Sequence, residues 1–314
     1  MKPLITVLEA IHPKCIDLLS KFANVRVSLG LERAAILDAC AESDVVVIKS
    51  VVQINEELLD YAPGLQLVAR AGTGTDNIDL VSCKRRGVKV FTTPTGNTIT
   101  AAEFTITMIL MLCRRIPEVI SAAQKRDFRR HLLEGRELQG MSVGIVGLGN
   151  VGRSVAERLI PFGCKLVGYD PYIKDSDFEL LKGIERVDSL ESLMLKVDLI
   201  TLHAKLTQEN YHMIGDNQFS YAKDGLYLVN VARAALIDDD ALIDALNKGK
   251  VACAALDVLD PEPPFDLPPD KHEYHHPLLE HPRVFITPHV GASTEDAQRK
   301  IAVDLAEQIR EFFP

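Results

Sequence analysis

Along the first hundred positions, apolar residues come in short runs separated by stretches in which they recur every three or four residues. The runs at 4–8, 25–28, 45–48, 67–69 and 88–91 are strand-length and are predicted as strands. The stretches at 13–22 and 31–40 are predicted as helices. Short strands alternating with helices imply a parallel sheet. Residues 99–118 then read as one long apolar helix, running from Ile99 to about Ile116. Further strands are predicted at 198–202, 226–230, 252–256 and 284–286, and an amphipathic helix at 294–312. The region 261–277 carries Pro261, Pro263, Pro264, Pro268 and Pro269 and reads as an irregular loop.

The most informative stretch is 142–170, SVGIVGLGNVGRSVAERLIPFGCKLVGYD. An apolar run at 143–146 enters a Gly-x-Gly-x-x-Gly turn at Gly147, Gly149 and Gly152. A helical pattern follows, with Val151, Val155, Leu159 and Ile160 on one face, until Pro161, Phe162 and Gly163 break it. A second apolar run at 166–169 ends on Asp170. Three glycines alone would mark only a tight turn, but strand, turn, helix, strand and acid together form a dinucleotide-binding unit. Gly147 permits the turn, Gly149 lets the backbone approach a pyrophosphate, and Gly152 lets the helix pack against the strand. The N–H groups at the helix start, at Asn150 and Val151, face the phosphates. Asp170 is placed to bond the ribose hydroxyls and repels a 2′-phosphate, while Pro171-Tyr172 offers no Arg to receive one. NAD is therefore expected over NADP.

The chain's 314 residues suffice for about two domains, and 47% hydrophobic with 25% charged residues is ordinary for a water-soluble α/β protein. A net charge of −9 argues against nucleic acid as the main partner. The six cysteines stand singly, which suits buried free thiols in a reducing cytoplasm. No secretory signal is read at the start, and the greasiest stretch, 104–113, is too short to span a bilayer. The fold class expected is α/β, with two doubly wound parallel-sheet domains. One is a Rossmann dinucleotide-binding domain, and the cleft lies between them.

The motifs extend further. RAGTGTDNID stands at 70–79, TPTGNTITAAE at 93–103, VNVARAALID at 229–238, AALDVLDPEPP at 254–264 and TPHVGAST at 287–294. In this order, and over nearly the whole chain, they resemble the D-isomer-specific 2-hydroxyacid dehydrogenases, and among these most nearly the phosphoglycerate dehydrogenases. The resemblance implies a substrate-binding domain of 1–97 plus 291–314 and an NAD-binding domain of 98–290. It implies a catalytic Arg233, Glu262 and His289. His289 exchanges the hydroxyl proton, Glu262 bonds the other ring nitrogen, and Arg233 holds the substrate carboxylate and polarises the carbonyl. Related formate dehydrogenases carry Gln where Glu262 stands, so the carboxylate favours a hydroxy acid. Thr73, Gly74 and Asn97 are implied around the substrate carboxylate. Thr105, His203, Thr207, Ala232 and Asp257 are implied along the cofactor, with Asp257 receiving the nicotinamide amide.

Several positions depart from the resemblance. Lys49 stands where the phosphoglycerate enzymes have Arg, which keeps the charge but loses the bidentate fork. Arg70 matches a second basic position of those enzymes. Ala234 replaces the usual Gly and Lys205 the usual Pro, and the loop around 265–276 is longer than usual. The expected substrate is 3-phosphoglycerate, as in serine biosynthesis. The alternatives are an unphosphorylated or sulfonated 2-hydroxy acid, or an NADH-sensing role like that of corepressors sharing the fold. His272, His275 and His276 lack a fourth ligand, so no metal is expected. Because the sequence read here stops at Pro314, a C-terminal regulatory domain and serine feedback through it are not expected. The helix 99–116 and the segment to about Gly140 resemble a dimerisation region, so a homodimer is expected, with no membrane partner.

Overall fold

The structure is a computed structural model that describes residues 2–265 and 267–313; Met1, Asp266 of the Pro-rich loop, and Pro314 lie outside the described residues. The chain divides into two compact units, Met1–Thr98 with Ser293–Pro314, and Ile99–Ala292.

The first unit is built on five parallel strands, β1 (Leu4–Val7), β2 (Asn24–Val27), β3 (Val45–Ile48), β4 (Leu67–Arg70) and β5 (Lys89–Phe91), in the order β2-β1-β3-β4-β5. Successive side chains of a strand point to opposite faces. Val45 and Val47, with Ile5, Val7, Leu67 and Ala69, pack on Cys15 and Leu19 and on Ile301, Ala302, Leu305, Ala306 and Ile309 of the helix Glu295–Phe312. Val46 and Ile48 pack on the other side with Leu37, Leu58 and Leu59. Leu305 and Ile309 are wholly buried, which stabilises the unit by about 1.5–3 kcal/mol each.

The second unit holds seven parallel strands. They are β6 (Ser142–Val146), β7 (Lys165–Tyr169), β8 (Ile184–Arg186), β9 (Leu199–Leu202), β10 (Leu226–Asn230), β11 (Val251–Leu256) and β12 (Val284–Ile286). Their order is β12-β11-β10-β9-β6-β7-β8. It reverses between β6 and β9, which is the Rossmann switch point where ligands bind outside the strands' carboxyl ends. One face buries Val146, Ile200, Leu202 and Leu228, the other Val143, Ile145, Leu199 and Val229.

Two of the differences between the observed elements and the sequence pattern have a plain physical reason. The long apolar helix is two helices, Thr98–Cys113 and Ile116–Gln124, separated by Arg115 in the left-handed region at φ 51°. Pro117 sits in the first turn of the second helix, where its missing N–H is harmless; inside one continuous helix it would clash with the preceding turn. Strand β8 was not anticipated, because Ile184–Arg186 offers a single apolar residue.

Candidate functional site

The glycine turn follows β6. Gly147 adopts φ +88°, and a Cβ there would come within 2.8 Å of the backbone of His203 and Ala204, just past β9. His203 N–H in turn donates to the Val146 carbonyl at 2.7 Å. A Cβ on Gly152 would lie 2.0 Å from the Gly147 carbonyl oxygen. Gly149 is different: it is exposed, and a Cβ there would meet nothing within 4 Å. The two tight glycines bring turn, helix and strands together, while the third leaves open space in front of the helix Asn150–Leu159. Asn150 and Val151 open that helix, whose first N–H groups have no partner inside it. This arrangement fits a pyrophosphate.

Asp170 directly follows β7 and folds back on the turn. Its Oδ2 accepts the Leu148 N–H at 2.8 Å and its Oδ1 the Tyr172 N–H at 2.9 Å. The carboxylate is thereby fixed beside the glycine turn. Further along the same edge, His203 Nε2 lies 3.0 Å from Thr201 Oγ1, and burial pushes the imidazole down to about 3, so it is neutral near pH 7. The Thr207 N–H donates to Asn210 Oδ1, and the Ala232 N–H to Asn230 Oδ1. Thr105 is fully buried, and its hydroxyl donates to the Ala101 carbonyl within its own helix.

The three candidate catalytic residues follow three neighbouring strands. Arg233 comes after β10, Glu262 after β11 and His289 after β12. Arg233 Nη1 donates to the Ala232 carbonyl at 2.7 Å, and the Arg233 carbonyl accepts from the Asn230 amide at 2.8 Å. His289 Nδ1 meets Glu262 Oε1 at 2.5 Å, although 27 positions separate them in the chain. A carboxylate only accepts, so the ring proton sits on Nδ1 and Nε2 carries the lone pair. His289 has φ +53°, unusual for a residue with a Cβ. Asp257 holds this loop: it accepts from Thr287 Oγ1 (2.5 Å), the Val290 N–H (3.0 Å) and the Gly291 N–H (2.7 Å). Burial pushes the Asp257 carboxyl up, against the pull of those three donors. Phe265 packs its edge on the His289 ring at 6.0 Å, and an apolar pocket lies beside the pair, lined by Pro263, Phe265, Tyr274, Leu279 and Ile286.

In the first unit, Thr73, Gly74 and Asn97 form one group, with Thr73 Oγ1 donating to Asn97 Oδ1 at 3.1 Å. Arg70 ends β4 and lies over Gly72; a Cβ on that glycine would strike its guanidinium. Lys49 follows β3 at the unit's own order reversal, between β1 and β3. There the sequence reading missed Glu9. Its carboxylate accepts from four successive backbone N–H groups, those of Lys49, Ser50, Val51 and Val52, at 2.8–3.3 Å. Asn77 clamps the same loop through the Lys49 and Val52 carbonyls. An acid directly after the first strand, opposite the end of β3, was the available signal.

Among the described residues no group of three or more His, Cys, Asp or Glu could hold a metal ion, and no helix is long and apolar enough to cross a membrane.

Known proteins are similar to this chain over most of its length. Residues 106–291 match the model of the D-isomer specific 2-hydroxyacid dehydrogenase, NAD binding domain. The D-3-phosphoglycerate dehydrogenase of Methanocaldococcus jannaschii is 37% identical over 306 residues, 98% of this chain and 56% of that protein. The chain thus spans little more than half the length of that relative. The hydroxypyruvate reductase of Thermotoga maritima is 36% identical over 279 residues, 89% of this chain and 88% of that protein. The D-lactate dehydrogenase of Aquifex aeolicus, solved with NAD and lactic acid, superposes with a TM-score of 0.88 at 28% identity, covering 98% of this chain and 95% of that one. With the glycine turn at the switch point and the NAD-binding domain matched across most of the second unit, the chain belongs to the D-isomer-specific 2-hydroxyacid dehydrogenase family.

Proposed function

We propose that this protein is an NAD-dependent oxidoreductase that interconverts a small D-2-hydroxy acid and its 2-keto acid. The observation that carries the reading is the His289 Nδ1–Glu262 Oε1 contact at 2.5 Å, on the strand edge that also bears Arg233 and the glycine turn. Oxidation removes a hydroxyl proton and a hydride from one carbinol group. Bound NAD supplies the hydride acceptor, and NADH the donor in reverse. The proton goes to His289 Nε2, while Nδ1–H stays on Glu262 and the carboxylate stabilises the imidazolium that forms. In reduction Nε2 returns the proton to the carbonyl oxygen. The Arg233 fork holds the substrate carboxylate and draws charge onto the carbonyl oxygen. Asp257 keeps the 287–291 loop in place and offers its remaining acceptor capacity to the nicotinamide amide.

The substrate we favour is 3-phosphoglycerate with 3-phosphohydroxypyruvate, the step that opens serine biosynthesis. The name of the Methanocaldococcus relative and the cations Lys49 and Arg70 support it. A second reading, an unphosphorylated 2-keto acid, is favoured by Glu9. Its carboxylate already fills the N–H cradle around Lys49 and sets a negative charge beside any incoming phosphate. A panel of 3-phosphohydroxypyruvate, hydroxypyruvate, glyoxylate and pyruvate with NADH decides. Charge-assisted hydrogen bonds contribute roughly 1.5–3 kcal/mol each, so a phosphate bound by Lys49 and Arg70 gives at least about a tenfold advantage in kcat/KM. Lys49→Ala then removes much of it and leaves pyruvate turnover little changed. If hydroxypyruvate wins, the phosphate assignment falls and the dehydrogenase reading stands. If no 2-keto acid oxidises NADH, the dehydrogenase reading falls, and an NADH-sensing role takes its place.

A further inference from the structure

The segment 260–276 leaves the end of β11 and carries Glu262, with one short turn, Pro269–Lys271, as its only regular element among the described residues. A loop of this length without secondary structure does not by itself hold a carboxylate in register. Two side chains from its far end supply the missing restraint. Tyr274 Oη donates to the Pro261 carbonyl at 2.6 Å, and His276 Nε2 faces the Asp260 carbonyl at 3.2 Å. These are the two carbonyls immediately before Glu262.

His276 is itself anchored. It is buried, and its Nδ1 accepts the Leu278 N–H at 3.3 Å, which leaves the ring proton on Nε2. That nitrogen also lies 3.3 Å from Asp239 Oδ2, in the first turn of the helix Asp239–Asn247. The Tyr274 and His276 rings stack at 6.3 Å with 24° between planes. The base of the loop is therefore stitched twice, and the stitch is tied to a helix of the sheet's own core.

We propose that Tyr274 and His276 are positioning residues, which hold Glu262 on His289 by fixing the carbonyls of Asp260 and Pro261. This gives the one buried histidine of the His-rich segment a structural task. The inference rests on the reading of Glu262 and His289 as the proton-transfer pair, so the test separates the two.

The full chain is prepared as Tyr274→Phe, His276→Leu, His276→Gln and Glu262→Gln. Backbone amide exchange over 257–265 is measured without cofactor, and kcat, KM and NADH affinity with the fastest acid of the panel. Tyr274→Phe and His276→Leu are expected to exchange several-fold faster in this segment alone. Their kcat falls roughly ten- to a hundredfold, the scale of a misplaced catalytic group, while KM and NADH affinity stay close to the parent's. His276→Gln, whose amide can donate to the Asp260 carbonyl, recovers much of the loss. Tyr274→Phe loses only a hydroxyl and decides the matter should His276→Leu fail to fold. Unchanged exchange overturns the proposal. So does a faster-exchanging loop with parental kcat while Glu262→Gln is inactive. A fully active Glu262→Gln instead brings down the proton-transfer reading, and the proposal with it.

Discussion

Cofactor choice follows directly from the contacts of Asp170. Asp170 is held by two backbone N–H groups, so its carboxylate cannot swing away from a cofactor phosphate. Two unit charges about 4 Å apart repel by ~1 kcal/mol in water and ~4 kcal/mol at the effective dielectric of a protein surface. A 2′-phosphate carries about 1.5 to 2 charges near pH 7, on the scale of any phosphomonoester. The expected preference for NADH over NADPH is therefore on the order of a hundredfold, with the lower limit near tenfold. Asp170→Asn keeps an oxygen that can accept one N–H but removes the charge. It should raise NADPH affinity and shrink the preference at least about tenfold. Asp170→Ala should also lower the melting temperature, because the Leu148 N–H loses its acceptor beside a buried side chain; an unsatisfied buried donor costs about 1–3 kcal/mol. Fluorescence titration with both cofactors, on all three proteins, reads the ratio. An Asp170→Asn ratio equal to the parent's would refute the electrostatic argument, whatever the parent prefers.

Other expectations are more direct. Arg233→Ala and His289→Ala should each lower turnover by about 10²–10⁴ while NADH still quenches or sensitises fluorescence as in the parent; near-normal turnover in either removes that residue from the chemistry. Gly152→Ala should unfold at lower temperature and bind NADH poorly, since its Cβ would lie 2.0 Å from the Gly147 carbonyl oxygen; a parental melting curve contradicts the packing. Acid stability should depend on His203: the unfolded imidazole takes a proton below about pH 6.5, the folded one only near 3, so stability is lost as pH falls through that window. In His203→Gln, denaturant unfolding across pH 4–7 should show a shallower loss than in the parent, and equal slopes would reject the half-buried, neutral histidine.

The parallel sheets were legible because their central strands are buried on both faces and so read as unbroken apolar runs, Val45–Ile48 being the plainest. Where burial is partial the signal fades, and Ile184–Arg186 pairs only at the sheet's edge and carries two charged residues. The break at Arg115 was written in Pro117, but a strongly apolar stretch on both sides outweighed it. The glycine turn was legible for a local reason: φ +88° at Gly147 and the 2.0 Å approach at Gly152 are demands that a single residue type meets.

The candidate site divides along the same line. Arg233, Glu262 and His289 could be paired only by resemblance, because nothing in a spacing of 27 positions says that Glu262 and His289 touch. The residues that hold loops in place were silent. Glu9 reaches four N–H groups forty or more positions away, and an acid after a strand is ordinary until the strand order shows which loop it faces. His276 stands among three histidines and draws attention as a metal ligand, although its ring bonds a carbonyl 16 residues back. Polar side chains that serve backbone groups leave no periodicity, and their partners are main-chain atoms that every residue possesses. Sequence therefore announces the groups that do chemistry by their type, whereas the groups that place them become visible only once the chain is folded.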